Sequence, residues 1–134
     1  MTAVAEVRWI HLCDYAFTDQ SGKPCLVGIF SKIFAQRVPA SHTKAALALE
    51  VVGDPDEIVN LRIRLLRPDS FGSPKGELFD VPVEVNLGPK GGYLLMMTLD
   101  NLPLPDFGQY AVEVKFDDTV VRTLEFDVAR LQAS

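Results

Sequence analysis

The chain has 134 residues, 48% of them hydrophobic and 23% charged, with two cysteines and a formal net charge of -5. A chain this long buries roughly 65–70% of its unfolded surface around one core, so a single domain over residues 1–134 is expected. The composition excludes a disordered chain or a disulfide framework, and 13 Lys and Arg scattered among 18 acidic residues form no basic patch for a nucleic-acid backbone.

The opening "MTAVAEVRW" has no apolar signal-peptide core, which points to the cytoplasm. It leads into "HLCDYAFTDQSGKPCLVGIF", His11 to Phe30, where a histidine, both cysteines and an aspartate crowd together. Turn-forming residues in "TDQSGKP" divide this stretch into two strands of a hairpin. A three-residue loop, Gln20 to Gly22 with Gly22 left-handed, sets Phe17 opposite Cys25 and Cys13 opposite Ile29; a two- or four-residue loop sets Cys13 opposite Gly28. The first register separates the thiols by about 13 Å at ~3.3 Å per residue, and the second places them on opposite faces. Neither permits a disulfide, which needs Cα atoms within about 7 Å. His11 and Cys13 share a face but Asp14 points away, so no zinc set converges. As a catalytic pair His11 and Cys13 stand in parallel with Cα atoms ~6.5 Å apart, a poor geometry for making a thiolate. No catalytic, cofactor-binding or metal-binding residue is expected.

The second strand of this hairpin reads on through Phe34. Trp9, Tyr15, Phe17, Phe30 and Phe34 gather on the two strands, and their other faces are also apolar, through Ile10 and Leu12 on one and Val27, Ile29 and Ile33 on the other. A sheet with one wet side does not need this. Either the ribbon crosses between two sheets or lies under a long loop, or it carries an interaction surface, with Trp9, Phe17, Phe30 and Phe34 as its candidate residues.

Farther along, the alanines of "SHTKAALALE" favour a helix, but Ala45, Leu47, Leu49 and Val51 alternate, and a strand is expected. "GDPDE" lacks the spacing of a calcium loop. In "LRIRLLR", Leu61, Ile63 and Leu65 face inward while Arg62 and Arg64 line the wet side. "RPDSFGSPKGE" is the longest connection and the natural place for a ligand contact. Phe79, Val81, Val83, Val85 and Leu87 alternate next, and Pro82 among them suits an edge strand. "GPKGG" does not match a phosphate-binding loop, and "YLLMMTL" is far short of the ~20 residues that span a bilayer. In the last two strands, a three-residue loop "DDT" would set Phe116 opposite Val120 and Val112 opposite Leu124.

Asp106, Gly108 and Tyr110 stand as D-x-G-x-Y ahead of a strand, which resembles the tyrosine corner of immunoglobulin-like folds. Val112 holds the place where antibody domains carry a cysteine, and Trp9 does not match their core tryptophan. The resemblance implies an all-β, antiparallel immunoglobulin-like β-sandwich of about eight strands, with Tyr110 structural, and it implies no function. "LCDYA", "GK", "GIF" and "KIFA", between Leu12 and Ala35, resemble an uncharacterised bacterial family of small proteins of unknown function, which supplies no catalytic residues. The expectation is a cytoplasmic, non-enzymatic protein-protein interaction module without nucleic-acid or membrane partner or cofactor. Its partner is another protein or itself, as a homo-oligomer joined through the N-terminal hairpin. The alternative is a small-ligand or glycan-binding sandwich using its inter-strand loops.

Overall fold

Alternating apolar and polar residues become strands in the computed structural model, which describes residues 5–68 and 76–131. One sheet runs β2 (Pro24–Ile29), β1 (Glu6–Thr18), β4 (Ala40–Val52), β7 (Gly92–Leu104). The other runs β3 (Lys32–Ala35), β9 (Thr119–Arg130), β8 (Gly108–Phe116), β5 (Ile58–Leu66), β6 (Glu77–Asn86). The two sheets pack as a β-sandwich, their inward residues sharing one core.

At the centre of the first sheet, β4 sends Ala45, Leu47, Leu49 and Val51 inward, with Leu47 opposite Leu12 on one side and Met97 on the other. They meet Leu61, Ile63 and Leu65 of β5 and Val112 and Val114 of β8. Each fully buried side chain of this size stabilises by about 1.5–3 kcal/mol relative to exposure, which is why tertiary packing overrides the helical preference of the alanines in β4. Tyr110 and Phe126, opposite one another on β8 and β9, stack at 5.2 Å. The Tyr110 hydroxyl donates to the Asp106 carbonyl at 2.7 Å and accepts from the Asp106 amide at 3.0 Å. Burial pushes the hydroxyl's pKa up and keeps it a donor. Arg67 Nε holds the Asp106 carboxylate at 3.0 Å, fixing the same corner from outside.

The first hairpin takes the three-residue loop. Phe17 faces Cys25 and Cys13 faces Ile29, Gly22 has φ of 84°, and both thiols are free. Asp19 ties the loop: its Oδ1 accepts from the Lys23 amide at 2.9 Å, the Ser21 amide at 2.9 Å and the Ser21 hydroxyl at 2.8 Å. Those bonds, led by the one from Lys23, hold its carboxyl below the usual range.

Three expectations are corrected. The single strand read through Phe34 breaks at Phe30 and Ser31, which makes nine strands among the described residues where about eight were expected. Its first part, β2, stays with β1, and its second, β3, crosses to the other sheet. A crossing segment meets apolar surface on both sides, which accounts for Ile33, buried in the core, and Phe30, packed against it. The sandwich is also not wholly antiparallel: β3 runs parallel to β9, from Lys32 opposite Asp127 to Ala35 opposite Arg130. Lastly, the β8–β9 turn is the two residues Asp117 and Asp118, with Phe116 facing Thr119 and Lys115 facing Val120. Asp117 supplies the left-handed conformation at φ of 53°, which aspartate tolerates without glycine. A register shift at Val114/Lys115 then restores the expected pairing of Val112 with Leu124.

Candidate functional site

The outward faces of the two sheets differ in chemistry. On the second sheet, Arg62, Arg64, Asp80 and Glu113 project from neighbouring strands and pair with one another. Arg62 Nε lies 3.0 Å from Asp80, and Arg64 reaches Glu77 and Glu113 at 3.0 Å each. The hydrogen bond from Arg62 to Asp80, then the charge of that carboxylate, push the Arg62 pKa further up. Both arginines are thereby occupied within the sheet, in the manner of a wet face.

The first sheet's outward face has another composition. Registers place Trp9, His11, Cys13, Tyr15 and Phe17 in file along β1, Val27 and Ile29 beside them on β2, Ala46 and Ala48 on β4, and Leu94 and Met96 on β7. Trp9 and His11 stack at 5.9 Å and Tyr15 lies 5.6 Å from Phe17. Tyr15, Val27 and Ile29 are 51%, 53% and 58% exposed. Small alanines keep the middle strand low, so the larger side chains of β1 and β7 stand proud of it, and Cys13, opposite Ile29 on one side and Ala46 on the other, has no exposed surface. At one end β1 and β4 part company, since β4 is paired to β1 only as far as Ala46. The resulting concavity of about 280 Å³ is lined by Tyr15, Ala16, Lys44 and Thr98, with the Lys44 ammonium 5.7 Å from the Tyr15 ring.

Of the four residues expected to form a surface, Trp9 and Phe17 share this face at opposite ends of β1. Phe30 is turned into the core with its ring 5.7 Å from His42, and Phe34 is exposed on β3 of the other sheet, beneath the Lys32 ammonium at 6.0 Å. The four therefore do not form one surface. Val27, Ile29, Leu94 and Met96 complete the face instead, and their signal was an apolar residue at an outward position of a strand whose inward positions were already filled.

No group of three or more His, Cys, Asp or Glu among the described residues is arranged to hold a metal ion. His42 sits with Phe30, away from His11 and Cys13. Burial raises the Cys13 thiol pKa, with the Tyr15 backbone hydrogen bond opposing and the charge of Asp14 adding to the rise. Under native conditions iodoacetamide is therefore expected to alkylate the partly exposed Cys25 well before Cys13, by peptide mass spectrometry. Equal rates in the folded protein would contradict this packing. The connection from Arg67 to Glu77, expected to offer ligand contacts, falls largely at 69–75, outside the described residues. Among the described residues no helix is long and apolar enough to cross a membrane.

Solved structures share the architecture at low identity. A GH3 beta-glucosidase of Bifidobacterium adolescentis matches with a TM-score of 0.53 and 11% identity over 94% of this chain. The beta-glucosidase from Listeria innocua in complex with glucose gives 0.56 and 8% over 96%. The Pseudomonas fluorescens alkylpurine DNA glycosylase AlkC, bound to DNA containing an abasic site analog, gives 0.54 and 8% over 93%. The chain spans 17%, 16% and 30% of these proteins' respective lengths, and likeness at this identity shows the fold alone. No curated protein matches the chain. Residues 8–129, nearly the whole sandwich, match a family of unknown function (DUF6941), and the chain belongs to that family.

Proposed function

We propose that the protein is a non-catalytic, cytoplasmic interaction module of immunoglobulin-like architecture that docks a bacterial protein partner on the outward face of its first sheet. One observation carries the reading: of two outward faces on the same sandwich, one is a mesh of ion pairs and the other exposes Tyr15, Val27 and Ile29 beside Trp9, Leu94 and Met96. Contiguous apolar surface of this kind is uncommon on a monomer unless something covers it. The tyrosine corner and the parallel β3–β9 pairing support the immunoglobulin-like description. The partner is a protein with an uncharged apolar surface. The face centre offers aromatic and aliphatic groups that such a surface desolvates well, with His11 stacked on Trp9, and the charged groups that β4 contributes, Lys44 and Glu50, stand at opposite ends.

The test uses the folded chain as bait in a bacterial lysate with mass-spectrometric readout. Val27→Lys and Ile29→Lys are expected to lose the captured protein, whereas Glu125→Ala, on the ion-paired side, retains it. Each lysine lies on an exposed edge-strand position, so unfolding free energies are expected to stay within about 0.5 kcal/mol of the parent. A partner retained by both lysine variants would exclude this face.

A further inference from the structure

Among the described residues the sandwich has four open sheet edges, β2, β3, β6 and β7, and an open edge offers unpaired backbone donors and acceptors to any other strand. Three of them carry blunting features. β2 spans six residues, starts at Pro24 behind Lys23, and is kinked at Gly28, whose φ is 71°. β3 has four residues and begins with Lys32. β6 contains Pro82 and points Asp80 and Glu84 outward. β7 differs. Its first eight residues, Gly92 to Leu99, include no proline, no Lys, Arg, Asp or Glu, and no positive φ; the first of these interruptions is Asp100, followed by Asn101 at φ of 53° and Pro103.

From this contrast we infer that β7 is a self-pairing edge, through which two copies of the chain join antiparallel about a two-fold axis near Leu95 and Met96. Three features of β7 favour a second copy as the occupant. Each chain carries a net charge of -5, so copies meet with least repulsion along an uncharged stretch, and β7 provides one. The antiparallel two-fold sets leucine and methionine against leucine and methionine on both faces. It also brings the turn bearing Lys90 in one copy to the Asp100 end of the other, twice; a parallel arrangement would oppose Lys90 to Lys90. Beneath the strand, the apolar slot of about 270 Å³ between β7 and β6, lined by Phe79, Val81, Met97 and Leu99, is flanked by this same edge. Pairing closes that flank and makes one continuous eight-stranded sheet with both outward apolar faces on the same side. The inference does not depend on the docking reading above: Leu94 and Met96 belong to that face as well, but self-pairing uses the backbone of the edge, which hydrogen exchange reads directly.

Sedimentation equilibrium of the intact chain is expected to give twice the chain mass, dissociating on dilution. Met96→Lys and Met96→Glu, each placing like charges across the two-fold, are expected to sediment as monomers, and an equimolar mixture of the two to recover the dimer. Amide hydrogen exchange on the unmodified chain supplies the second reading, with protection of Gly92 to Leu99 rising with concentration while β6 stays unchanged. A monomer at high concentration, a dimer retained by both single variants, or protein-concentration-independent exchange in β7 would each overturn the inference. Because Met96 also lies on the docking face, the discriminating reading is the exchange protection of the unmodified chain, which rises or fails to rise with concentration whatever becomes of partner capture.

Discussion

Leu47→Ala is expected to lower the unfolding free energy by about 2–5 kcal/mol, the cost of truncating a leucine in a site that cannot collapse. Leu47 is fully buried on β4, the strand that joins both halves of the first sheet, with Leu12 on one flank and Met97 on the other. Its backbone is held by ladders on both sides, so the strand has little freedom to move in and fill the void. Urea denaturation followed by tryptophan fluorescence measures the loss, since Trp9 sits on the adjacent strand. A change below about 1 kcal/mol would mean that the inward side chains are not packed as described. The effect should exceed that of Val27→Lys several-fold, although both replace an aliphatic residue, because only one of the two positions has neighbours on all sides.

Tyr110→Phe is expected to cost about 1–3 kcal/mol. The substitution keeps the ring and its stacking on Phe126 and removes only the hydroxyl. That group satisfies the Asp106 carbonyl and amide together, and the phenylalanine ring leaves both without the partner. The same connection is held by the Arg67–Asp106 ion pair, about a third exposed and correspondingly weaker. Arg67→Ala should therefore cost less than Tyr110→Phe, and the reverse ranking would make the guanidinium, rather than the phenol, the main tie.

Much of the sandwich was legible because its strands have one apolar side. Period-two alternation in β5, β6 and β8 assigned Ile63, Val83 and Val114 to the interior without further information, and Pro82 marked β6 as an edge. Gly22 offered the left-handed position for a three-residue loop, one of the two registers that the sequence left open, and the hairpin takes that one. Where a strand is apolar on both sides, alternation has nothing to report. The ribbon from Cys25 to Phe34 therefore read as one strand, and its break at Phe30 and Ser31 is set by the second sheet, a partner distant in sequence. The same blindness hid Leu94 and Met96 inside "YLLMMTL", where only the filled inward positions at Leu95 and Met97 show which residues are left facing out. The β8–β9 turn was misjudged because two aspartates did the work of glycine and a bulge repaired the register afterwards. Membership of a candidate surface is likewise a long-range property. Phe30 and Phe34 are close in the chain and end on different sides of the molecule.

The parallel contact of β3 with β9 also bears on the order in which the chain acquires structure. Arg130 bonds the carbonyl of Gln36 across 94 positions of sequence, so on a ribosome that end of the ribbon emerges long before its partner exists. Until then Ile33 and Phe34 stay without the strand that holds them, and a nascent chain must keep that short oily stretch from straying. The loop closure is entropically late, which places this seam among the final events of assembly and among the first to open under strain.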